Sequence, residues 1–181
     1  MKFAVLLLCF AAFELPAPAQ TLSLGVKGGG FFTDPAERQD QSRKYVVGPS
    51  VEVGFGRIGV EANVLYWRFG SAVSGVRVRG HVMELPVLGK YYFAGRNAVV
   101  RPFAGAGFAF RNVWTDDGRG RFGNREVAST EPGVGAVFGG GVAMKVWKLR
   151  LSPEVRYTRW GGYNFPVTNA NQVQALLGVT F

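Results

Sequence analysis

The sequence of 181 residues is almost without cysteine and histidine, with one of each at Cys9 and His81. A disulfide scaffold and a zinc site built from cysteines are therefore excluded. We find no fixed-period repeat, which argues against a solenoid. After residue 19, no apolar run approaches the roughly 18 residues that a membrane-spanning helix requires. Hydrophobic residues make up 48% of the chain, too many for a disordered protein, so the composition predicts one folded domain.

Residues 1–19 have the pattern of a secretory signal peptide. Lys2 supplies the positive start, residues 3–13 form an apolar run, and Ala17-Pro18-Ala19 has the small-x-small form of a cleavage site. A membrane anchor is the alternative, but Glu14 interrupts the apolar run well before the length that an anchor needs. The sequence predicts a signal peptide at 1–19, a mature domain at 20–181, and export from the cytoplasm.

Apolar and polar residues alternate along most of the mature domain. In residues 149–158, Leu149, Leu151 and Val155 alternate with charged neighbours such as Arg150 and Glu154. This period of two predicts β strands with one apolar and one polar face. The eight candidate strands are 21–31, 45–57, 58–69, 78–94, 98–112, 131–146, 149–160 and 172–181.

The connections between the candidate strands differ in length. Tight turns are expected at 56–57, 95–97 and 147–148, a shorter connection at 70–77, and long connections at about 32–44, 113–130 and 161–171. Long loops at one end and short turns at the other are typical of a meander that crosses a membrane. A strand of about eleven residues, tilted by about 40°, spans about 28 Å, enough for a bilayer core. We predict an all-β fold, an eight-stranded antiparallel up-and-down transmembrane β-barrel.

Aromatic residues near the strand ends indicate which face is outside. They fall on the apolar faces, as the interfacial girdles of membrane barrels do, whereas the polar faces are rich in small residues that suit a narrow lumen. A soluble barrel would instead turn its apolar faces inward. We predict that the apolar faces point outward. The aromatic residues concerned are Tyr45, Phe55, Tyr66, Phe93, Phe110, Tyr157 and Phe181.

Four segments resemble a known group of proteins. Residues 24–29 read LGVKGG, residues 83–93 read MELPVLGKYYF, residues 101–107 read RPFAGAG, and residues 171–181 end in Phe181. In this order they resemble the small eight-stranded outer-membrane β-barrels of the OmpA/OmpX-like and PorT-like families. The resemblance implies a location in the outer membrane. It also implies that Phe181 is the signal read by the barrel-insertion machinery.

The polar faces carry charges that would lie inside the barrel. Turns centred at 56–57, 95–96 and 147–148 predict cross-strand pairs of like charge, namely Glu52 with Glu61, Lys90 with Arg101, and Lys145 with Arg150. Like charges in a confined lumen are unfavourable unless opposite charges reach across, so we expect the carboxylates to be bridged. The predicted lumen charge network consists of Glu52, Glu61, Glu84, Lys90, Arg101, Lys145, Arg150, Glu154 and Arg156.

Two functions of such a lumen remain open. Salt bridges would plug it, because eight strands enclose an interior only wide enough for side chains. Charged rings can also line a narrow, porin-like path for ions or small solutes. We expect the plug, with a structural or surface-interaction role for the loops, and keep the channel as the alternative.

An enzyme that modifies lipid A is a third and weaker hypothesis. Such a deacylase needs a histidine beside a serine and an acid at the rim. His81 is the one histidine, on the predicted lipid face, and no serine or acid flanks it. We expect no catalysis, no metal and no cofactor.

The formal charge of +9 is the remaining feature of the composition. Arginine binds phosphate through paired hydrogen bonds, so arginines at the long-loop rim are candidates to bind lipopolysaccharide. Asp116, Asp117 and Glu126 partly neutralise the charge of this rim. A solvated loop face is therefore the alternative. We expect a monomer that contacts outer-membrane lipid, and no nucleic acid. The candidate arginines are Arg68, Arg77, Arg79, Arg111, Arg119, Arg121, Arg125 and Arg159.

Overall fold

The computed structural model describes residues 20–33, 45–73, 76–116, 133–161 and 170–181. The predicted signal peptide lies outside these residues. No helix in the described part is long and apolar enough to cross a membrane. The described strands are β1 (Gln20–Phe31), β2 (Tyr45–Phe55), β3 (Ile58–Asn63), β4 (Leu65–Val73), β5 (Val76–Tyr92), β6 (Val100–Asp116), β7 (Gly133–Val146), β8 (Leu149–Gly161) and β9 (Asn171–Thr180).

These strands form a closed antiparallel barrel. Strands β3 and β4 are successive halves of one barrel strand, interrupted at Val64, so the barrel has eight strands. Each barrel strand pairs with its neighbours along the chain, and β1 pairs with β9 to close the sheet. Backbone hydrogen bonds between Leu24 and Phe181 extend this closure. The predicted all-β, eight-stranded, up-and-down barrel is confirmed.

Two of the three predicted cross-strand pairs are confirmed. Glu52 pairs with Glu61 and Lys145 pairs with Arg150. The third prediction was wrong, because Lys90 pairs with Gly105 instead of Arg101. Pairing of β5 with β6 begins at Tyr92 and Phe103, and the Phe93 amide donates to the Pro102 carbonyl, so the hairpin is centred between residues 97 and 98 and the register differs by four residues.

The interruption at Val64 has a local cause in strand β2. The backbone amide of Val64 donates a hydrogen bond of 3.0 Å to the carbonyl of Pro49. Proline has no N–H to return a bond, so the ladder is broken at this pair. The Val64 carbonyl lies over Gly48, where an added Cβ would be 1.6 Å from that oxygen. A residue without a side chain is therefore required at position 48.

The apolar faces of the strands point outward. Large apolar side chains such as Leu22, Phe108 and Val155 are more than half exposed, whereas the polar side chains of Lys27 and Glu61 are buried inside the barrel. This is the predicted orientation and the reverse of a soluble barrel, in which the apolar faces point inward. An apolar outer band on a closed sheet suits a surface that meets lipid.

The lumen is less uniformly polar than the sequence suggested. Apolar side chains are buried in it at three levels, beside the small residues of the polar faces. We call the end with residues 56–57, 93–99 and 147–148 the turn end, and the opposite end the loop end. From the loop end to the turn end, the clusters are Phe31, Val46, Leu65, Trp67, Val82, Val113 and Leu176; then Leu88, Ala109, Val137 and Trp160; then Tyr92, Phe103 and Ala143.

Candidate functional site

Six charged side chains from five strands meet near the middle of the lumen. Each lies on the inward face of its strand, alternating with outward apolar residues as the period of two requires. We call this group the central charge cluster. Its members are Lys27 of β1, Glu52 of β2, Glu61 of β3, Lys90 of β5, and Glu154 and Arg156 of β8.

Glu61 is the most connected carboxylate of the cluster. Its Oε1 atom lies 2.6 Å from Lys27 Nζ and 3.1 Å from Arg156 Nη2, and Oε2 contacts Lys90. The side-chain amide of Asn63 donates a further hydrogen bond of 2.9 Å to Oε1. Three cations and one amide therefore converge on a single carboxylate, which connects β3 to β1, β5 and β8.

Glu154 and Glu52 complete the pairing of these cations. Glu154 Oε2 lies 2.6 Å from Lys27 Nζ, and Glu154 Oε1 contacts Arg156. Glu52 accepts hydrogen bonds of 3.2 Å from Lys90 Nζ and 2.6 Å from the Tyr92 hydroxyl. Lys27 thus bridges two carboxylates, which were both predicted for the lumen.

Burial and charge balance determine what this cluster can do. The side chains of Lys27, Glu61, Lys90, Glu154 and Arg156 are at most 2% exposed. Three cations face three carboxylates, so the cluster has no net formal charge. Charges removed from water are stable only when closely paired, and here each has a partner of opposite sign. The arrangement cross-links strands and offers no single-sign ring that would select ions.

A second polar group lies between the central charge cluster and the loop end, centred on Glu84. Its Oε1 atom accepts hydrogen bonds from Arg111 Nη2 at 3.0 Å and from Trp67 Nε1 at 3.0 Å. Gln172 and Gln174 donate to the same carboxylate at 3.2 Å. We call Trp67, Glu84, Arg111, Trp160, Gln172 and Gln174 the Glu84 cluster.

Arg111 corrects a prediction made from the sequence. It was expected at the rim as a lipopolysaccharide contact, but it is 5% exposed and lies inside the lumen. Its guanidinium stacks over Trp160, with Cζ 3.8 Å from the ring centroid, and contacts Gln172 as well as Glu84. Strand β6 extends to Asp116, beyond the expected end at residue 112, so Arg111 is well within the barrel wall.

Arg101, Lys145 and Arg150 also depart from the prediction, because they do not bridge the carboxylates of the lumen. All three lie at the turn end, and no ion pair involves them in the part of the chain that the structure describes. Arg150 precedes Glu154 by four residues, which is about 13 Å along an extended strand. Of the nine predicted network residues, five belong to the central charge cluster, Glu84 belongs to the second cluster, and these three belong to neither.

The remaining rim arginines divide by position. Arg68 and Arg159 lie on the outer face, toward the loop end, and are exposed. Arg77 and Arg79 are part of β5, and their side chains are not described. Arg119, Arg121 and Arg125 lie outside the described residues.

His81 lies on the outer face, as predicted, and has an aromatic partner. Its Nδ1 atom is 2.6 Å from the hydroxyl of Tyr66, which in turn accepts a hydrogen bond of 2.5 Å from Arg68 Nε. The guanidinium of Arg68 also lies over the Tyr66 ring, 5.5 Å from its centroid. The three side chains form a polar patch on a largely apolar face, and we call them the outer patch.

Several lumen residues were missed by sequence analysis. Lys27 appeared only within the segment that resembles the first strand of outer-membrane barrels, although it alternates with outward Val26 and so belongs to the polar face. Gln172 and Gln174 alternate in the same way on β9. The period of two was the signal for all three, but it does not indicate which carboxylate each side chain reaches.

Comparison with known proteins supports the fold. No protein-family model matches the sequence, and no curated protein matches it. Several solved structures, however, are similar to this chain. The crystal structure of Neisserial surface protein A is similar with a TM-score of 0.65 and 16% identity, covering 90% of this chain and 98% of that one. A major outer membrane protein from Thermus thermophilus is similar with a TM-score of 0.60 and 13% identity, covering 91% and 99%.

A third similar structure is the N-terminal β-barrel domain of Pseudomonas aeruginosa OprF. It has a TM-score of 0.53 and 17% identity, and the match covers 88% of this chain and 95% of that domain. Each match spans nearly the whole of the other barrel, so the likeness concerns the complete architecture and not a fragment. Together with the closed sheet and its apolar outer face, this gives the chain the fold of the small eight-stranded outer-membrane β-barrels.

Proposed function

We propose that this protein is a closed barrel of the outer membrane that acts through its outer surface and loops. The observation that carries the proposal is the central charge cluster, in which Lys27 bridges Glu61 and Glu154 at 2.6 Å each. An ion moving along the axis would have to displace buried, mutually paired charges. Such pairs are costly to break because the partner left behind is unpaired in a poorly solvated site.

The apolar clusters support a closed lumen independently of the charges. Val137, Leu65 and Val82 are fully buried between the strands, and they lie at levels where a water-filled path would run. Eight strands leave room for little beyond the side chains themselves. A narrow channel for ions or small solutes remains the competing function, and catalysis has no part in the proposal.

Permeability of proteoliposomes tests this proposal. Refolded protein is reconstituted in vesicles, and release of a small anionic dye and entry of a monosaccharide are compared with those of protein-free vesicles. Rates equal to those of the protein-free vesicles are expected. Protein-dependent entry that scales with the number of barrels per vesicle would favour the channel. A known open porin in parallel vesicles serves as the positive control.

The outer patch supports a surface that contacts anionic lipid of the outer leaflet. In outer-membrane barrels the long loops face outward, which would place Arg68, Tyr66 and His81 near the lipid headgroups. Arg68 is held by a hydrogen bond and a stacking contact to Tyr66, so part of its side-chain entropy is already lost before a phosphate binds. Exposed Arg159 on β8 is a second contact of this kind.

Binding to lipopolysaccharide measures this contact. We expect the variant Arg68→Gln/Arg159→Gln to bind lipopolysaccharide about tenfold more weakly than the wild type, equivalent to about 1.4 kcal/mol. Arg57→Gln is the matched control, since it removes an exposed arginine at the turn end. Equal binding of anionic and neutral lipid by the wild type at low salt would overturn the proposal.

A further inference from the structure

The turn end contains a basin that neither the plug nor the outer patch uses. It is a cavity of about 510 Å³ in the mouth of the barrel, with walls formed by the inward faces of β1, β6, β7, β8 and β9 and by the connection at 93–99. We call it the turn-end basin. It lies below the layer of Tyr92, Phe103 and Ala143, which separates it from the central charge cluster.

The charge of the basin is strongly one-sided. Among the residues that the structure describes, five cationic side chains line it, and no Asp or Glu side chain does. The five cations are Arg96, Arg101, Lys145, Lys148 and Arg150.

No ion pair involves Arg101, Lys145 or Arg150 in the described part of the chain, in contrast to the two clusters deeper in the lumen. There, every cation has a carboxylate partner, and Glu52, the acid nearest the turn end on β2, is already engaged by Lys90 and Tyr92. Lys145 and Arg150 face each other across the β7–β8 pair, which places two like charges side by side. Like charges in such a position are unfavourable unless an anion lies between them.

Arg101 is the residue that most clearly implies a ligand. Its guanidinium is held against Tyr92, with Cζ 4.0 Å from the ring centroid, and Nη2 donates a hydrogen bond of 3.1 Å to the carbonyl of Gly56. The residue is 5% exposed, and its Nε atom is buried without a hydrogen-bond partner among the described residues. A buried donor left without an acceptor is costly, so a fixed guanidinium of this kind suits an incoming oxyanion.

We propose that the turn-end basin binds a phosphate-bearing ligand. Three arginines offer the planar donor pairs that match phosphate oxygens, and two lysines add point charges around them. The cavity can hold a phosphate monoester or pyrophosphate group, and the ring of strands leaves it open toward the turn end. The ligand chemistry is shared by free phosphates and phospholipid headgroups. The site does not depend on whether the lumen conducts.

The test uses the full mature barrel in nanodiscs of neutral lipid, with inorganic pyrophosphate as the probe and calorimetry as the measurement. Saturable binding of pyrophosphate by the wild type is expected. The affinity should be at least about tenfold weaker in Lys145→Gln/Arg150→Gln, which corresponds to about 1.4 kcal/mol of binding free energy. Arg57→Gln, an exposed turn-end arginine outside the basin, should bind as the wild type does. Should the first variant fail to fold, a second variant, Arg96→Gln/Lys148→Gln, removes two cations from the turns and leaves the strands unchanged.

Three outcomes distinguish the sources of the ligand. Binding of pyrophosphate in neutral nanodiscs supports a free phosphate. If pyrophosphate fails but nanodiscs containing phosphatidylglycerol perturb the Arg101 resonances in the wild type and not in Lys145→Gln/Arg150→Gln, the headgroup is the ligand. Absence of both effects, or equal losses in Arg57→Gln and the basin variants, would overturn the proposal, since binding would then reflect only the net charge of the protein.

Discussion

The Nζ atom of Lys27 lies 2.6 Å from a carboxylate oxygen of Glu61, which joins β1 to β3 past the intervening strand β2. Backbone pairing links only adjacent strands, whereas this contact and its counterpart with Glu154 cross the lumen. The barrel is therefore held by two independent systems, the closed hydrogen-bond ladder of its wall and a set of buried ion pairs inside it.

Replacing Glu61 by glutamine tests how much the buried ion pairs stabilise the barrel. Glu61→Gln leaves Lys27, Lys90 and Arg156 with two carboxylates in place of three, so we expect the free energy of unfolding to fall by about 3 kcal/mol. Urea unfolding of the refolded barrel in lipid vesicles measures this. Glu52→Gln is the matched control, because Glu52 contacts one cation only and should cost less. A larger loss for Glu52→Gln would contradict the assignment.

A double-mutant cycle isolates the Lys27–Glu61 pair. Lys27→Met removes the cation that bridges two acids, and combining it with Glu61→Gln removes one charge of each sign. We expect the double variant to be more stable than the sum of the single losses predicts, by about 1 kcal/mol or more. Additive losses, measured by the same urea transitions, would show that the two side chains do not interact in the membrane.

Arg111 should behave as a lumen residue and not as a rim residue. Arg111→Gln removes the cation paired with Glu84 and the stacking contact with Trp160, so we expect a loss of about 3 kcal/mol and altered tryptophan fluorescence. Arg68→Gln, at an exposed position, should leave both measurements unchanged. Equal stability and fluorescence of the two variants would support the predicted position of Arg111 at the rim and contradict its place in the lumen.

Gly48 is required by the carbonyl of Val64. In Gly48→Ala the added Cβ would collide with this oxygen, so we expect a loss of about 2 kcal/mol in the free energy of unfolding. Gly139→Ala is the control on another inward position, because its Cβ would meet nothing nearer than 3.5 Å. If the two alanine variants unfold at the same urea concentration, the strand interruption at Val64 does not depend on Gly48.

The cost in stability of a charged residue on the outer face should depend on its depth in the membrane. Val155 is exposed beside the level of the central charge cluster, so Val155→Arg would place a cation against lipid tails near the bilayer middle at a cost of about 3 kcal/mol. Phe32→Arg, just beyond the end of β1, should cost about 1 kcal/mol or less for the same added charge. Urea unfolding in vesicles compares them, and equal costs would argue against a membrane-embedded outer face.

The sequence predicts the wall of this barrel better than its interior. Alternation depends on each strand alone, and tight turns determine the register of their own hairpins, which is why the pairs Glu52–Glu61 and Lys145–Arg150 could be predicted. The pair Lys90–Arg101 could not, because the hairpin between β5 and β6 is centred two residues later than expected. Arg111 was misplaced for a similar reason, since the expected end of β6 was four residues too early.

Partners across the lumen depend on information that no local pattern contains. Lys27 reaches Glu61 and Glu154 because closure between β1 and β9 sets the stagger of the whole barrel. The predicted role of Phe181 in delivery to the insertion machinery stays a prediction, as does cleavage after residue 19. Both concern biogenesis and not the folded barrel.

Single-channel recording in a planar bilayer tests the central claim most directly. Refolded mature protein is inserted at known density, and the wild type is compared with Glu52→Gln/Glu61→Gln under a salt gradient. We predict no resolved conductance steps for the wild type, because in the proposed function the central charge cluster and the apolar layers close the lumen. Steady, ion-selective steps in the wild type, with a selectivity that these substitutions change, would contradict the account and make the lumen a channel.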